Sequence, residues 1–384
     1  MLRFLTLKPE AFGLDISDLS LKIVKLKKRG KFYKLASFGE EKIKPGIIKD
    51  GEIKDEERLA ETIKAAVKNV KGEKLNTNYV VASLPEEKSF LQIIKMPKMA
   101  EDDLKSAVIY EAENHIPMPI NQVYLDSQIV SLPHNNSSHF DVLLGALPKN
   151  TVDLYVSSFK KAGLQPKVLE TESLSIARAL VKDETTDSPL LLIDLGETRT
   201  SFIIFVGQSL RFTSSIAVSS LVFNEIIAKN LGVSLAEAER LKIRYGLEER
   251  LELKIKKEKT EVKKEQGEIF EALVPALVDL IQQIKKHLEY HQRYLDNGSL
   301  SSKGKKVAKI LLCGGGANLK GLRDLLILEL KIPVEIGNPW INILPEDEKE
   351  TPELSPEESL GYTTALGLAL RGIKAYKHLN KFIK

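Results

Sequence analysis

Two segments far apart in the chain are written to one plan: "FGLDISDLSLKIVKL" from Phe12 and "LLLIDLGETRTSFIIF" from Leu191. Each is a β-rich run with an aspartate at its end, a small residue two positions on, a tight polar turn and a returning β-rich run. Asp15-Ile16-Ser17 aligns with Asp194-Leu195-Gly196, and Ser20 and Thr200 sit near the start of each return. Two such hairpins could each lay backbone N–H groups and a hydroxyl around a phosphate, with the aspartate aimed at a metal ion. A third piece, "KILLCGGGANLKGLRDLLILEL" from Lys309, reads as a buried strand, three glycines and a helix. Glycine there lets backbone approach a ligand closely, and a helix N-terminus favours an anionic or polar ligand. Duplicated halves followed by a glycine triplet imply a two-lobed nucleotide clamp.

At 384 residues the chain exceeds one compact core and predicts two lobes or more. Its 43% hydrophobic and 29% charged content is that of an ordinary globular protein. Lys and Arg number 57 against 53 Asp and Glu, a net charge of only +4, and predict no nucleic-acid partner. The single cysteine, Cys313, excludes a disulfide framework or cysteine zinc site and fits a reducing cytoplasm. No apolar run approaches the roughly 18–20 residues that span a bilayer. The opening "MLRFLTLKPEAFG" is broken by Lys8 and Pro9 and does not read as a signal peptide.

Between the hairpins, "KFYKLASFGEEKI" reads as a strand and "DEERLAETIKAAVKNV" as a helix with Leu59, Ile63, Ala66, Val67 and Val70 on one face. After the strand "NYVVASLP", a strand "SFLQIIKMP", a helix "AEDDLKSAVIYEAENHI" and strands "YLDSQIVSLP" and "FDVLLGALP" look like an inserted subdomain, with "HNNSSH" as its hairpin loop. The helix "TVDLYVSSFKKAGL" closes it. The Lys/Glu stretch "LEERLELKIKKEKTEVKKEQGE" predicts a solvated ribbon. The long helix from Glu268 to about Leu295 has Phe270, Val274, Leu277, Ile281, Ile284 and Leu288 as its stripe, packed on a lobe core. His287 and His291 stand at i,i+4, but no third ligand is near and zinc is not expected. Trp340 reads as packing after a turn, and "RGIKAYKHLNKFIK" as a helix end and tail.

This order of elements resembles the actin-like ATPase superfamily. "LQIIKMPKMAEDDLKSAVIYEAENHIPMPINQVYLDSQIV", "LPKNTVDLYVSSFKKAGLQPKVLETESLSIARAL", "LGVSLAEAERLKIRYG" and "TALGLALRG" resemble the type IV pilus assembly family PilM, related to cell-division FtsA, over essentially the whole chain. The resemblance implies an α/β, two-lobed actin-like (ribonuclease-H-like) fold with a strand-helix-strand-strand subdomain inserted in the first lobe. The expected boundaries are 1–85 with 166–188 for the first lobe and 86–165 for the insert. The second lobe takes 189–231 with 307–384, and 232–306 forms its helical subdomain. It also implies ATP with Mg²⁺ in the cleft. The first turn would contribute Asp15, Ser17, Asp18, Leu19 and Ser20, with Lys22 behind it, and the second Asp194, Gly196, Glu197, Thr198 and Thr200. Ser219 and Ser220, Glu239 and Lys242, Gly314, Gly315, Gly316 and Lys320 complete the set, with Asp15 and Asp194 toward the metal. Ser17 stands where the family has glycine, and Ser219-Ser220 where it has a glycine pair.

Hydrolysis needs a positioned group for water. Glu170 and Glu172 are the weak candidates, and turnover is expected to be slight or absent. The resemblance further implies a cytoplasmic adaptor, peripheral to the inner membrane through its partner. It would hold the N-terminal cytoplasmic tail of a PilN-like membrane protein and join it to the pilus motor ATPases, with self-association open. The tail would sit where the insert meets the first lobe, near Phe90, Ile94, Met96, Tyr110, Ile116 and Met118. Two rivals share the fold: an FtsA-like membrane-associated protein of cell division and a sugar-kinase-type phosphotransferase.

Overall fold

The computed structural model describes residues 10–130, 139–247, 261–296, 306–345 and 353–374. The first hairpin forms β1 (Phe12–Ile16) and β2 (Ser20–Arg29), and the chain returns as β3 (Phe32–Lys42). Short turns join neighbours antiparallel, whereas parallel pairing needs a crossover. That crossover passes through a small hairpin, β4 (Ile48–Lys49) and β5 (Glu52–Ile53), then α1 (Glu56–Lys68) and β6 (Lys71–Gly72). β7 (Tyr79–Leu84) then lies parallel to β1. Asp55 caps α1 by accepting from the Arg58 amide, and Leu59, Ile63 and Ala66 are buried on the predicted face.

The insert opens with β8 (Phe90–Pro97), α2 (Glu101–Ala112), β9 (Val123–Ile129) and β10 (His139–Pro148), the predicted strand-helix-strand-strand order. Its three-stranded sheet is ordered β8-β10-β9. α3 (Lys149–Lys161) follows, then β11 (Gln165–Thr171) beside β7, and α4 (Glu172–Leu180). The sequence assigns α3 to the insert, yet Val152, Tyr155 and Phe159 are buried in the first lobe's core. The predicted loop at His134 lies outside the described residues.

The second lobe repeats the plan. β12 (Thr186–Leu195), β13 (Thr200–Gly207) and β14 (Ser209–Ile216) form a meander. Helices α5 (Ser220–Leu231), α6 (Leu235–Tyr245) and α7 (Glu261–Asp296) follow. β15 (Lys309–Cys313), α8 (Leu322–Leu330) and β16 (Val334–Ile336) complete the sheet. Strand orders β11-β7-β1-β2-β3 and β14-β13-β12-β15-β16 are the same topology, each a meander extended by two parallel strands. The architecture is the expected two-lobed α/β one.

Two predictions about the helical excursion are corrected. Part of the Lys/Glu ribbon, from Glu261, belongs to α7; residues 248–260 lie outside the description. The core-facing stripe of α7 runs through Ile269, Leu273, Leu277, Leu280 and Ile284, while Phe270, Val274 and Leu288 are only partly buried. Leu277, Ile281 and Ile284 of the expected stripe are buried in the core, and Ile269, Leu273 and Leu280 join them.

The chain ends with α9 (Pro356–Leu360) and α10 (Thr363–Lys374). The sequence places this end in the second lobe. α10 instead packs on β1, β2 and α4 of the first, and Trp340 and Ile343 join the same cluster. Residues 375–384 lie outside the description. Glycine permits the approach: a Cβ at Gly13 would lie 2.4 Å from the Ala365 carbonyl oxygen, and one at Gly367 2.0 Å from that of Ser175. Alanine in a helix is normally favoured over glycine by about 1 kcal/mol, while overpacking costs about 1–3 kcal/mol. Gly367→Ala is therefore expected to lower the urea midpoint; a raised midpoint would show that the α10–α4 contact is slack.

Candidate functional site: the interlobe cleft

The two turns close with the same backbone bond, Ser17 N to Ser20 O and Gly196 N to Arg199 O, both 2.9 Å. Strand register makes Asp15 face Lys22 and Asp194 face Ser201. Ser20 is thus the counterpart of Arg199, one residue from the predicted partner Thr200. A one-residue slip along a strand reverses the side chain's face. Thr200 accordingly turns into the core and donates to the Val218 carbonyl at 2.6 Å, while Arg199 faces the cleft.

Between the turns lies a cleft of about 600 Å³. Asp15, Ser17, Asp18, Ser20, Lys22, Asp194, Gly196, Glu197, Thr198, Ser220, Glu239, Lys242 and the triplet Gly314, Gly315 and Gly316 line it. Leu19, Thr200, Ser219 and Lys320 do not. The Leu19 carbonyl accepts from Ile43, Ser219 caps α5 through the Val222 amide, and Lys320 donates to the Arg244 carbonyl. Their expected place on the cleft wall is thereby corrected.

Ser83 of β7 holds the first aspartate: its hydroxyl donates to Asp15 Oδ1 at 3.0 Å and accepts from the Ile16 amide. Burial raises the Asp15 pKa, with Lys22 and Ser83 opposing the rise. In the Gly-substituted turn, Ser17 Oγ contacts Ser20 Oγ at 3.0 Å, and Lys22 Nζ donates to Ser20 Oγ at 3.1 Å. Ser17 therefore knits the turn internally.

At the second aspartate, Cys313 Sγ donates to Asp194 Oδ1 at 3.7 Å. Burial, aided by the Asp15 charge, pushes the Asp194 pKa up to about 6. Gly314 has φ +78, and a Cβ there would lie 2.3 Å from Asp194 Oδ1; only glycine fits. A Cβ at Gly315 would meet nothing within 4 Å, which leaves its backbone open to a ligand. Lys242 donates to the Ser220 carbonyl and hydroxyl, and burial lowers its pKa to about 8.

Glu172, at the start of α4, also lines the cleft. Burial raises its pKa well above the ordinary carboxylate range, reinforced by Asp15, Glu87 and Asp194. Glu170 does not reach the cleft. It is buried in a bidentate pair with Arg178 and accepts from Ser175 Oγ, which corrects its candidacy for catalysis. Among the described residues no three His, Cys, Asp or Glu side chains converge on one metal position. The donor set fits Mg²⁺ in its usual phosphate-bound form, with one or two carboxylates, phosphate oxygens and waters. Asp15 and Asp194 are the carboxylates that would hold it, and it would neutralise charge on the phosphates. His287 is buried between Phe202 and Phe212, ring centroids 4.7 and 5.3 Å away, and acts as a core residue.

Sequence reasoning missed Arg199 and Glu87. Arg199 Nη2 lies 2.7 Å from Glu87 Oε1 and 3.8 Å from Asp18 Oδ2, an ion pair across the cleft. An acid–base pair so far apart in sequence leaves no local signal.

Residues 13–373 match the type IV pilus assembly protein PilM family. The chain belongs to the PilM family. Among solved structures, this PilM-family chain is similar to a chain of the PilM-PilN type IV pilus biogenesis complex. They share 27% identity with TM-score 0.77, over 95% of this chain and 99% of that one. It is also similar to MreB 5 of Spiroplasma citri bound to AMPPNP, with 13% identity and TM-score 0.56, over 98% and 100% of the two chains. Cell division protein FtsA of Buchnera aphidicola subsp. Acyrthosiphon pisum (strain APS) is 21% identical over 237 residues, 59% of this chain. The chain spans about half of that relative's length, 54%. Among the described residues no helix is long and apolar enough to cross a membrane.

The cleft also fixes a pH response. The folded-state pKa of Asp194 is about 6 against 3.8 unfolded. Between those values the folded chain holds a proton that the unfolded chain has lost, and stability falls as pH rises through that window. Asp194→Asn is expected to flatten the fall. It should raise the melting temperature of nucleotide-free protein at pH 7 by about 1 °C for each kcal/mol gained, the scaling for a chain of 384 residues. An unchanged or lowered value would contradict the buried-carboxylate account.

Proposed function

We propose that this chain is an ATP-binding adaptor of type IV pilus assembly, carrying Mg-ATP between its lobes and the N-terminal tail of a PilN-like membrane protein at the root of its insert. In this reading it is cytoplasmic and reaches the inner membrane, and the pilus motor ATPases, through partners. The observation that carries the reading is the near end-to-end likeness to a chain of a PilM–PilN complex. The paired turns, the open Gly315 backbone and the acidic cleft support the nucleotide. Lys22 and Lys242 would meet phosphate or ribose oxygens, while Asp15 and Asp194 would face the metal.

The expected tail contacts need revision. Ile94, Met96 and Ile116 are buried under α2 in the insert's own core, with Phe90 packed against them. The opposite face of β8, through Ile93, is covered by the second lobe. With α2 on one face of β8 and the second lobe on the other, these side chains are already committed. Tyr110 is 76% exposed on α2, away from that core. Met118 does line a recess of about 240 Å³ where the insert meets the first lobe, with Ile53, Lys88, Pro148 and Leu154 among its walls. We assign the anchor of the tail to this recess; apolar pockets beside main-chain donors are a common way to hold an extended peptide.

Mg-ATP at a hundredfold excess over its dissociation constant should stabilise the fold by about 2.7 kcal/mol, an increment that Asp194→Ala removes. No thermal shift with millimolar Mg-ATP on nucleotide-free folded protein would overturn the nucleotide assignment. In calorimetry, Leu154→Asp should weaken binding of the tail peptide at least tenfold; unaltered affinity would move the peptide elsewhere. Turnover is expected to be negligible. Phosphate release on the order of 1 s⁻¹ that vanishes in Glu172→Gln would make the chain an enzyme.

A further inference from the structure

We infer that Arg199 is a positioning residue that couples the nucleotide cleft to the recess at the root of the insert, so that occupation of one strengthens binding at the other. The inference rests on the proposed tail site and adds its regulation. Both phosphate turns stand one contact from the wall of that recess. On the first turn, Asp18 accepts from the backbone amides of Asp50 and Gly51 at 2.8 and 2.9 Å. The next two residues of that hairpin, Glu52 and Ile53, line the recess. On the second turn, Arg199 reaches across to Glu87 at 2.7 Å, and the adjoining Lys88 lines the same recess. Behind them, the buried Tyr155 hydroxyl donates to the Gly51 carbonyl at 3.2 Å, and α3 carries Thr151 and Leu154 into the wall.

The path is stiff as well as short. Pro85 and the Glu87 carboxylate crowd Gly51, where a Cβ would lie 2.5 Å from each. Glu86, next to Glu87, is buried and accepts from the Ser173 amide at the start of α4. Displacement of Glu87 therefore moves the hairpin and the entry to the insert together. Arg199 is the cation of the clamp, and it shares its two carboxylates, Glu87 and Asp18, across the cleft. The acidic groups Asp15, Asp194, Glu172 and Glu87 line the same space. A nucleotide seated between the turns would touch both of them and hold Asp18 and Arg199 at one separation, which would fix Arg199 on Glu87 and keep the recess in one shape. Coupling of this kind is reciprocal: whatever factor nucleotide applies to peptide affinity, peptide applies to nucleotide affinity.

The test is calorimetry of the full chain with the tail peptide, with and without a non-hydrolysable Mg-ATP analogue, and the reverse titration. The wild type is expected to show at least a fivefold gain in both directions, within the typical range for coupled sites. Arg199→Ala should bring both factors toward one. Arg199→Lys should keep part of the coupling, and the exchange Arg199→Glu with Glu87→Arg should restore part of it, which a merely structural role would not produce. Equal peptide affinity with and without nucleotide in the wild type, or full coupling in Arg199→Ala, overturns the inference and leaves the tail site standing. Absence of any peptide binding overturns the tail site. The coupling is then read by hydrogen exchange: nucleotide should protect residues 86–88 and 148–154 in the wild type but not in Arg199→Ala. Equal protection in both, or none, overturns it.

Discussion

The carboxylates facing one cleft, Asp15, Asp194, Glu172 and Glu87 foremost, set the terms for the rest of this molecule. Asp15 and Asp194 are carried to the same place because each ends the central strand of a sheet whose order is repeated in the other lobe. Glu172 and Glu87 complete the ring. Taken out of water and set near one another, such groups prefer to be neutral, and the pKa values of all four are raised. A fold keeps that arrangement when a cation and its ligand repay it. The surrounding cations, Lys22 and Arg199, are themselves committed to Glu40, Asp18 and Glu87.

The same economy explains the glycines. Gly314 lets β15 turn directly past Asp194, and Gly13 and Gly367 let α10 cross the first lobe at backbone contact. That last helix ties the segment after β16 to the first sheet, and both lobes are held by one chain path passing twice beneath the cleft.

Much of this was legible in the residues. Hairpins announce themselves by β-rich runs around short polar turns, and a strand followed by glycines and a helix is equally local. Asp15, Asp194 and Gly314 could therefore be placed before any coordinates. What escaped was set by register and by distance. Sequence spacing pairs Thr200 with Ser20, whereas the turn's closing bond makes Arg199 the equivalent, a difference of one residue that spacing does not resolve. On α7 the apolar spacing identifies Leu277, Ile281 and Ile284 but not Ile269, Leu273 and Leu280, because apolar residues also occupy the adjacent positions. Ile94, Met96 and Ile116 looked available for a peptide because nothing local reveals that α2 and the second lobe cover both faces of β8. Glu170 looked like a candidate base until Arg178 was found against it. The Arg199–Glu87 pair and the Asp18 contacts to the β4–β5 hairpin are purely tertiary.

The central claim is that the repeated turns hold a metal-bound nucleotide triphosphate between the lobes. A crystal structure with Mg²⁺ and a non-hydrolysable ATP analogue tests it most directly. The account predicts phosphates between the Ser17–Ser20 and Gly196–Arg199 turns. It also predicts the metal beside Asp15 and Asp194, bound directly or through water, and the nucleoside against Gly315 and Lys242. A nucleotide seated outside this cleft, or a metal remote from both aspartates, would contradict it.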